Sequence, residues 1–326
     1  MRRFLIAYYI TSIIKKQASY VEDRMELPVS FSYRDYQPIT SGWSIDKKYF
    51  IVLIDGTKAV LRLSPIRLKD HKMKTLSYLK QLSHLPVPQV LDYGVTTDEA
   101  YFYTLLSWIE GEVISDRLSQ LPPGYQYQLG IEAGTILKHI HLLPIEKPTE
   151  SWEAQFTKRI VLTIKRYQAC GVTIDSEKLL LETIERFRDC LINRPQTYQH
   201  GDFHVGNFLM TPEGKLAVID FDRSSFGDPF EEFDRLIWSH QKSPLFASGQ
   251  IHGYFKGEPP LLFFQLLALY HSRGALNGIA WATDFGEEDI KTIKHNIKVL
   301  LKEHDNFRRL IPRWYIPIRD VSQYMI

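Results

Sequence analysis

The stretch HGDFHVGNFLMTPEGKLAVIDFDR, from His200 to Arg223, decides how the rest of the chain is interpreted. Two short apolar runs, FLM and LAVIDF, flank a turn at Pro212 to Gly214, and this pattern predicts a β-hairpin. Histidines, an asparagine and carboxylates lie at the ends of these runs, where most of them are costly to bury without a partner. We therefore expect a chemical function for this stretch.

The order of the polar residues predicts phosphoryl transfer. His200-Gly201-Asp202 is followed by Asn207, five residues after the aspartate, and Asp220 comes after the hairpin. This order matches HxDxxxxN, a hairpin and then DF, the catalytic and metal-binding arrangement of kinase-like phosphotransferases. Asp202 is predicted to take the proton of an acceptor hydroxyl. Asn207 and Asp220 are predicted to bind Mg²⁺, because a hard cation takes oxygen ligands.

The two histidines of the stretch leave an alternative open. His200 and His204 around the aspartate also resemble the ligand set of a metal-dependent hydrolase, since imidazole suits zinc or iron. A hydrolase of that kind needs neither Asn207 nor the following IDF strand. We expect His200 to hydrogen-bond the loop backbone, and we keep the hydrolase as the less favoured interpretation.

Composition restricts the partners and the compartment. The chain has 326 residues and a formal net charge of +2, with no long block of like charge, so no nucleic-acid partner is expected. Cys170 and Cys190 are too few for a disulfide framework and lack metal-ligand spacing. These features predict a cytoplasmic protein whose partners are small molecules.

The N-terminal residues 1–24 are predicted to be peripheral to the fold. Their apolar run from Phe4 to Ile14 is shorter than the roughly 20 residues that cross a bilayer. No small-residue cleavage site follows the run. An amphipathic or docking helix is therefore expected, with no integral membrane span.

The remaining pattern predicts an α+β chain. Strand signals dominate from about Phe31 to Leu106, with a hairpin at Asp55-Gly56 and one helix after Pro65, and helical spacing dominates afterwards. We predict a bilobal protein-kinase-like fold with an N-terminal antiparallel β-sheet lobe and a mostly helical C-terminal lobe. The predicted ranges are 25–106 for the nucleotide-binding lobe and 107–326 for the catalytic and substrate lobe.

Several motifs together resemble one family. HGDFHVGN resembles the HGDxxxxN of the aminoglycoside phosphotransferase and antibiotic kinase family, and AVIDFDR resembles its IDF/W metal motif. GDPFEEFDRL, LPVPQVLDYG and TLLSWIEG resemble its GDPxxDLA segment, its PVPxVL connection and its hinge. The likeness extends from about Ser41 to Leu236. It implies a kinase that moves the γ-phosphoryl group of ATP or GTP to a hydroxyl of an aminoglycoside-like or other small metabolite.

The resemblance also implies the nucleotide contacts. It implies the same roles as the motif, with Asp202 as the base and Asn207 and Asp220 as Mg²⁺ ligands. It places the backbones of Ser107 and Ile109 against the adenine. It places SGWSIDKK at the loop that covers the phosphates, where Ser44 is expected to donate to a phosphate oxygen, although this loop lacks GxGxxG.

Two positions depart from the family pattern. The phosphate-binding lysine of the third strand is replaced by Arg62, which is still expected to grip phosphate, and Lys58 is the other basic group on that strand. The partner glutamate of the following helix is missing, because no residue between Arg62 and Asp98 is glutamate. Asp70 is the nearest acid, and His71 or Thr75 stands near the expected position. A nucleotide-binding pseudokinase scaffold is therefore a second interpretation.

Overall fold

The computed structural model describes residues 27–40 and 44–325. Within this part of the chain the helices are α1 (Lys69–Gln81), α2 (Pro123–His141), α3 (Trp152–Ala169), α4 (Glu177–Arg186), α5 (Leu236–His240), α6 (Pro244–Phe255), α7 (Leu261–Ala282), α8 (Glu287–Glu303) and α9 (Ile318–Val321). The strands are β1 (Tyr33–Ile39), β2 (Lys47–Leu53), β3 (Lys58–Pro65), β4 (Val90–Val95), β5 (Tyr101–Ser107), β6 (Glu112–Val113), β7 (Thr197–Gln199), β8 (Phe208–Met210), β9 (Leu216–Val218) and β10 (Ser225–Gly227).

The described residues form two compact units. The first contains the chain up to Ile114 together with the returning segment Gly206–Asp222, and the second contains Ser115–Val205 and the chain from Arg223 onward. The segment Gly206–Asp222 joins the first unit because its strand β8 pairs with β6 and the Val218 N–H donates to the Pro86 carbonyl oxygen at 2.9 Å. The predicted domain ranges 1–24, 25–106 and 107–326 stay a prediction. The N-terminal helix expected within residues 1–24 lies outside the described residues.

The first unit is built on an antiparallel sheet of five strands in the order β1-β2-β3-β5-β4. The β2–β3 turn is the predicted one at Asp55-Gly56, where Gly56 adopts a φ of 87° and the Thr57 N–H donates to the Asp55 carboxylate at 2.8 Å. On β3 alternate residues bury one face of the sheet, as seen for Leu61 and Leu63. The intervening Arg62 therefore projects from the opposite face.

The second unit is mostly helical, and α2 and α6 approach each other at glycine residues. A Cβ atom on Gly134 would lie 2.0 Å from the Gln250 carbonyl oxygen, and one on Gly253 would lie 2.2 Å from that of Ile131. Only glycine permits two helix backbones to come so close without displacement. None of the described helices is long and apolar enough to cross a membrane. Cys170 and Cys190 are both free thiols, as the sequence predicts.

Three histidines of the second unit are buried together. His271 and His304 have ring centroids 6.4 Å apart, and His240 stacks on Trp314 with a centroid separation of 5.0 Å. Burial lowers the pKa of His240 and of His271 to about 3 and that of His304 to about 4. All three rings are therefore neutral in the folded protein at neutral pH.

We expect the free energy of unfolding to fall by roughly 1–3 kcal/mol per pH unit between about pH 6.5 and 4.5. The unfolded chain protonates its histidines near pH 6.5, whereas the folded chain does not until far lower pH, so acid favours unfolding. Glu231, Glu232 and Asp234 act in the opposite direction, because burial raises the pKa of each acid. Burial also lowers the pKa of His141 and of His252, so five such histidines outnumber the three acids.

Denaturant unfolding measured across this pH range tests the expectation. The substitution His240→Phe keeps an aromatic ring against Trp314 and removes one titrating group, so the dependence on pH should become shallower. A free energy of unfolding that does not change between pH 6.5 and 4.5 would contradict the assignment of neutral, buried rings.

Candidate active site

The β8–β9 hairpin holds the two predicted metal ligands at its open end. Asn207 immediately precedes β8, and the Ile219 N–H donates to the Asn207 carbonyl oxygen at 3.0 Å, so strand pairing continues to the residue before Asp220. Asp220 has a φ of 67°, a left-handed backbone conformation that is uncommon outside glycine and is concentrated at functional sites. Asn207 and Asp220 therefore lie at the two ends of one hairpin, whose turn was predicted at Pro212 to Gly214.

The chemistry of these donors fits Mg²⁺. Both side chains offer oxygen atoms, and the side chain of Asp220 is 37% exposed, which leaves room for a ligand. Among the described residues no group of three or more His, Cys, Asp or Glu side chains is arranged to hold a metal ion. A cation bound through Asn207 and Asp220 would therefore need further oxygen ligands.

Arg62 lies at the centre of a charged cluster in the first unit. Its guanidinium donates from Nη1 to Asp220 Oδ1 at 2.8 Å and from Nε to Asp46 Oδ2 at 3.1 Å. Its Nη2 lies 2.8 Å from Asp222 Oδ2. Burial alone would lower the pKa of Arg62, but the charges of Asp220, Asp222 and Asp46 outweigh burial and raise this pKa. The predicted phosphate-binding residue thus contacts a predicted metal ligand directly.

Helix α1 presents a lysine, and not an acid, to this cluster. Lys72 is buried, and its Nζ donates to Asp46 Oδ2 at 2.9 Å and to Asp222 Oδ1. Of the residues considered at the expected glutamate position, Asp70 and His71 are exposed, and Thr75 is buried but carries no charge. The most buried carboxylate that contacts Arg62 comes instead from Asp46, immediately before β2.

The other residues that are predicted to contact nucleotide also lie in the first unit. The Ser44 hydroxyl accepts from Arg62 Nη2 at 3.3 Å and from the Asp46 N–H at 3.1 Å, so Ser44 and Arg62 lie together. In the hinge the Ser107 N–H donates to the Gln89 carbonyl oxygen at 2.8 Å and is therefore engaged within the protein. Ile109 is partly buried and packs against the apolar cluster of Val113, Leu209 and Ala217. Their contact with an adenine stays a prediction.

In the second unit two arginines and a histidine surround Asp202. Its Oδ1 atom lies 3.4 Å from Arg235 Nε, 3.6 Å from His204 Nε2 and 3.8 Å from Arg223 Nη1. Burial alone would raise the pKa of Asp202, but the His204 imidazole and the Arg235 charge outweigh it and hold this pKa well below its usual range. Asp202 is therefore an ionised carboxylate at neutral pH.

The backbone at Gly201 explains why the HGD motif has glycine at this position. It has a φ of 83°, and a Cβ atom there would lie 2.0 Å from the Arg223 carbonyl oxygen. Its N–H donates to the buried Glu232 Oε1 at 2.8 Å. His200 is fully buried, and its Nδ1 accepts from the Asp202 N–H at 3.2 Å, which is the backbone hydrogen bond predicted for it.

The GDPF segment, residues 227–230, is held in place by buried hydrogen bonds near the loop that carries Asp202. Asp228 is fully buried and accepts two hydrogen bonds from Arg194 at 2.7 and 2.8 Å and one from the Tyr270 hydroxyl at 2.7 Å. This fixed carboxylate begins the turn that carries Glu232 to Gly201 and Arg235 to Asp202. The segment therefore has a structural role next to the predicted base.

The sequence interpretation missed Asp46, Lys72 and Arg235. A signal for Lys72 was present, because it lies four and seven residues before Leu76 and Leu79 and so shares their buried helix face. A lysine on such a face needs a buried carboxylate partner. Asp46 and Arg235 carry no comparable local signal.

Comparison with known families gives a match over most of the chain. Residues 35–264 match the family described as the phosphotransferase enzyme family, APH. Comparison with curated protein sequences gives no match.

Solved structures show the same fold. Aminoglycoside 2'-phosphotransferase-IIIa in complex with GDP is 14% identical over 89% of this chain and 96% of its own, with a TM-score of 0.64. A thermostable mutant of aminoglycoside phosphotransferase APH(4)-Ia in a ternary complex with ADP and hygromycin B is 19% identical over 83% of this chain and 94% of its own, with a TM-score of 0.61. The predicted α+β, protein-kinase-like fold is confirmed. Since the family match spans more than half of its residues, the chain belongs to the phosphotransferase enzyme family, APH.

Proposed function

We propose that the chain transfers the γ-phosphoryl group of ATP or GTP to a hydroxyl of a small molecule. The observation that carries the proposal is the direct contact of Arg62 with Asp220 at 2.8 Å. One residue is suited to hold phosphate and the other to hold the metal that bridges phosphates, so together they form a site for a metal–nucleotide complex.

The first unit binds the phosphates in this proposal. Arg62 donates to phosphate oxygens through its planar guanidinium, and Ser44 adds a hydroxyl beside it. Asn207 and Asp220 would hold Mg²⁺, which when bound neutralises charge on the phosphate oxygens. Asp220, which contacts Arg62 in this structure, would thus be available to the metal, and Arg62 to phosphate oxygens.

Asp202 orients the acceptor. Because its pKa lies well below the usual range, Asp202 is a weak base before the reaction and accepts a hydrogen bond from the acceptor hydroxyl. The acceptor oxygen bonds to the γ-phosphorus while the bond from that phosphorus to the β–γ bridging oxygen breaks, which releases ADP or GDP. Asp202 takes the hydroxyl proton as this happens, when the acidity of that proton has risen. The retained Asp202 favours an active kinase over a pseudokinase scaffold. The buried His200, engaged with backbone, and the retained Asn207 count against a metal-dependent hydrolase.

The donor and the acceptor are proposed in different detail. Neighbouring structures hold GDP or ADP, which supports a nucleotide donor without choosing between ATP and GTP. One neighbour holds hygromycin B and another kanamycin, so an aminoglycoside-like acceptor is one class. The cationic groups around Asp202, of which Arg223 is the most exposed at 46%, favour an acceptor with less positive charge than these antibiotics. A cytoplasmic location stays a prediction.

Mg²⁺ should increase the stabilisation of the protein by nucleotide, and Asp220→Asn should remove that increase. A ligand that binds only the folded state stabilises it by about 2.7 kcal/mol at a hundred times its dissociation constant, so metal-dependent affinity becomes a shift of the melting temperature. The measurement is a thermal melt with ADP, ATP, GDP or GTP, each with Mg²⁺ or with a chelator.

Asp98→Asn is a suitable control for this experiment, because Asp98 bonds within the β4–β5 turn and lies outside the cluster. It should retain the full dependence on Mg²⁺. Equal stabilisation by nucleotide with Mg²⁺ and with chelator in the wild type would contradict the assignment of Asn207 and Asp220 as metal ligands.

A further inference from the structure

Two buried cations of the first unit lie side by side on shared carboxylates. Asp46 Oδ2 accepts from Arg62 Nε at 3.1 Å and from Lys72 Nζ at 2.9 Å. Asp222 bridges the same two cations, with one oxygen 2.8 Å from Arg62 Nη2 and the other bonded to Lys72. The side chains of Arg62 and Lys72 are only 10% and 7% exposed.

Asp46 is the fixed member of this arrangement. Its side chain is 1% exposed, and its second oxygen, Oδ1, is buried without a hydrogen-bond partner among the described residues. Burial alone would raise the pKa of Asp46, but Arg62 and Lys72 outweigh it and lower this pKa, so the carboxylate stays charged. Asp220 and Asp222 are more exposed, at 37% and 23%, and can be exchanged for other anions.

The cluster holds two cations, Arg62 and Lys72, which share Asp46 and Asp222. Two like charges that share an oxygen atom repel each other, and they are stabilised only while anions lie between them. A nucleotide's phosphate chain offers several anionic oxygens on neighbouring phosphorus atoms and so matches two adjacent cations. Phosphate oxygens that displaced Asp222 would therefore meet both cations, while Asp46 still held them.

Resting on the proposed function, we propose that Asp46 replaces the glutamate absent from α1 as a positioning residue, and that Lys72 is a second phosphate-binding cation beside Arg62. The sequence order is exchanged relative to the family pattern: the carboxylate lies immediately before β2 and the extra cation lies on the helix. Asp46 holds both cations in place while phosphate oxygens displace Asp220 and Asp222 from them.

The test compares probes with and without phosphate. Dissociation constants are measured for ADP and GDP with Mg²⁺ and for adenosine and guanosine, in the wild type, Asp46→Asn and Lys72→Met. We expect each substitution to weaken diphosphate binding roughly tenfold or more, the loss of one charge-assisted hydrogen bond, while nucleoside binding changes by less than about twofold. Lys74→Met is the matched control, because Lys74 is exposed on the same helix, and its diphosphate affinity should equal that of the wild type.

Two further variants keep the test decisive if Asp46→Asn folds poorly. Lys72→Arg keeps the charge and should bind diphosphate within about threefold of the wild type. Lys72→Glu adds a fourth acid to the cluster and should weaken diphosphate binding most.

The outcomes separate this inference from the proposed function. Wild-type binding of diphosphate with unchanged affinity in Asp46→Asn and Lys72→Met would overturn the inference and leave the kinase assignment standing. Equal losses for diphosphate and nucleoside would also overturn it, because they would indicate a structural role. A wild-type protein that binds neither ADP nor GDP with Mg²⁺ would overturn both.

Discussion

Replacing Asp202 by asparagine should lower phosphotransfer by roughly a hundredfold or more and leave the binding of Mg²⁺ and nucleotide intact. Asparagine keeps the shape of the side chain but cannot take the acceptor's proton. It also removes the negative charge that Arg235, His204 and Arg223 now surround. The measurement is phosphotransfer to any acceptor that the wild type uses, or background ATP hydrolysis, together with nucleotide titration of both proteins.

The control for this substitution is Asp175→Asn, at an exposed position of the second unit, which should keep wild-type activity. Unchanged activity in Asp202→Asn would contradict the kinase mechanism and favour the pseudokinase scaffold. Simultaneous loss of metal and nucleotide binding would identify Asp202 as a metal ligand, and would restore the hydrolase interpretation with His200 and His204 beside it.

Removing Arg62 should have the second largest effect, on nucleotide affinity and on stability together. Arg62→Ala leaves Asp46, Asp220 and Asp222 without their shared partner, and breaking a buried ion pair costs about 3–5 kcal/mol. The apparent dissociation constant for nucleotide should rise at least roughly tenfold, because a bidentate contact to phosphate is lost. Denaturant unfolding measures the loss of stability, and nucleotide titration of the folded protein measures the loss of affinity.

Lys58→Ala is the matched control on the same strand. Lys58 is exposed and pairs with Glu110 at 2.5 Å, and an exposed ion pair contributes at most about 1 kcal/mol, so neither quantity should change much. Arg62→Lys tests whether the charge alone is enough or whether the planar fork is needed. A larger effect from Lys58→Ala than from Arg62→Ala would show that the phosphate-binding residue has been assigned to the wrong position on β3.

The hairpins were predictable because the chemistry of a turn is local. Asp55-Gly56 and the turn at Pro212 to Gly214 each supply the backbone conformations that reverse a strand, and both turns are found where they were predicted. The helices of the second unit were predictable from apolar spacing, although the sequence interpretation did not single out α6. Its core-facing glycines are recognisable only when the partner helix α2 is known.

The sequence by itself determined the reaction class, since HGDFHVGN and IDF place Asp202, Asn207 and Asp220 in a fixed order around one hairpin. It also indicated Arg62 as the basic residue on the third strand. Only the tertiary structure decided which charges meet. Asp46 precedes β2, Lys72 lies on α1 and Asp222 follows the returning hairpin. Asp46 and Asp222 contact both Arg62 and Lys72, and these contacts depend on sheet register and on helix rotation. Sheet register and helix rotation are not determined by residues near one another in the chain, because both depend on packing between distant segments.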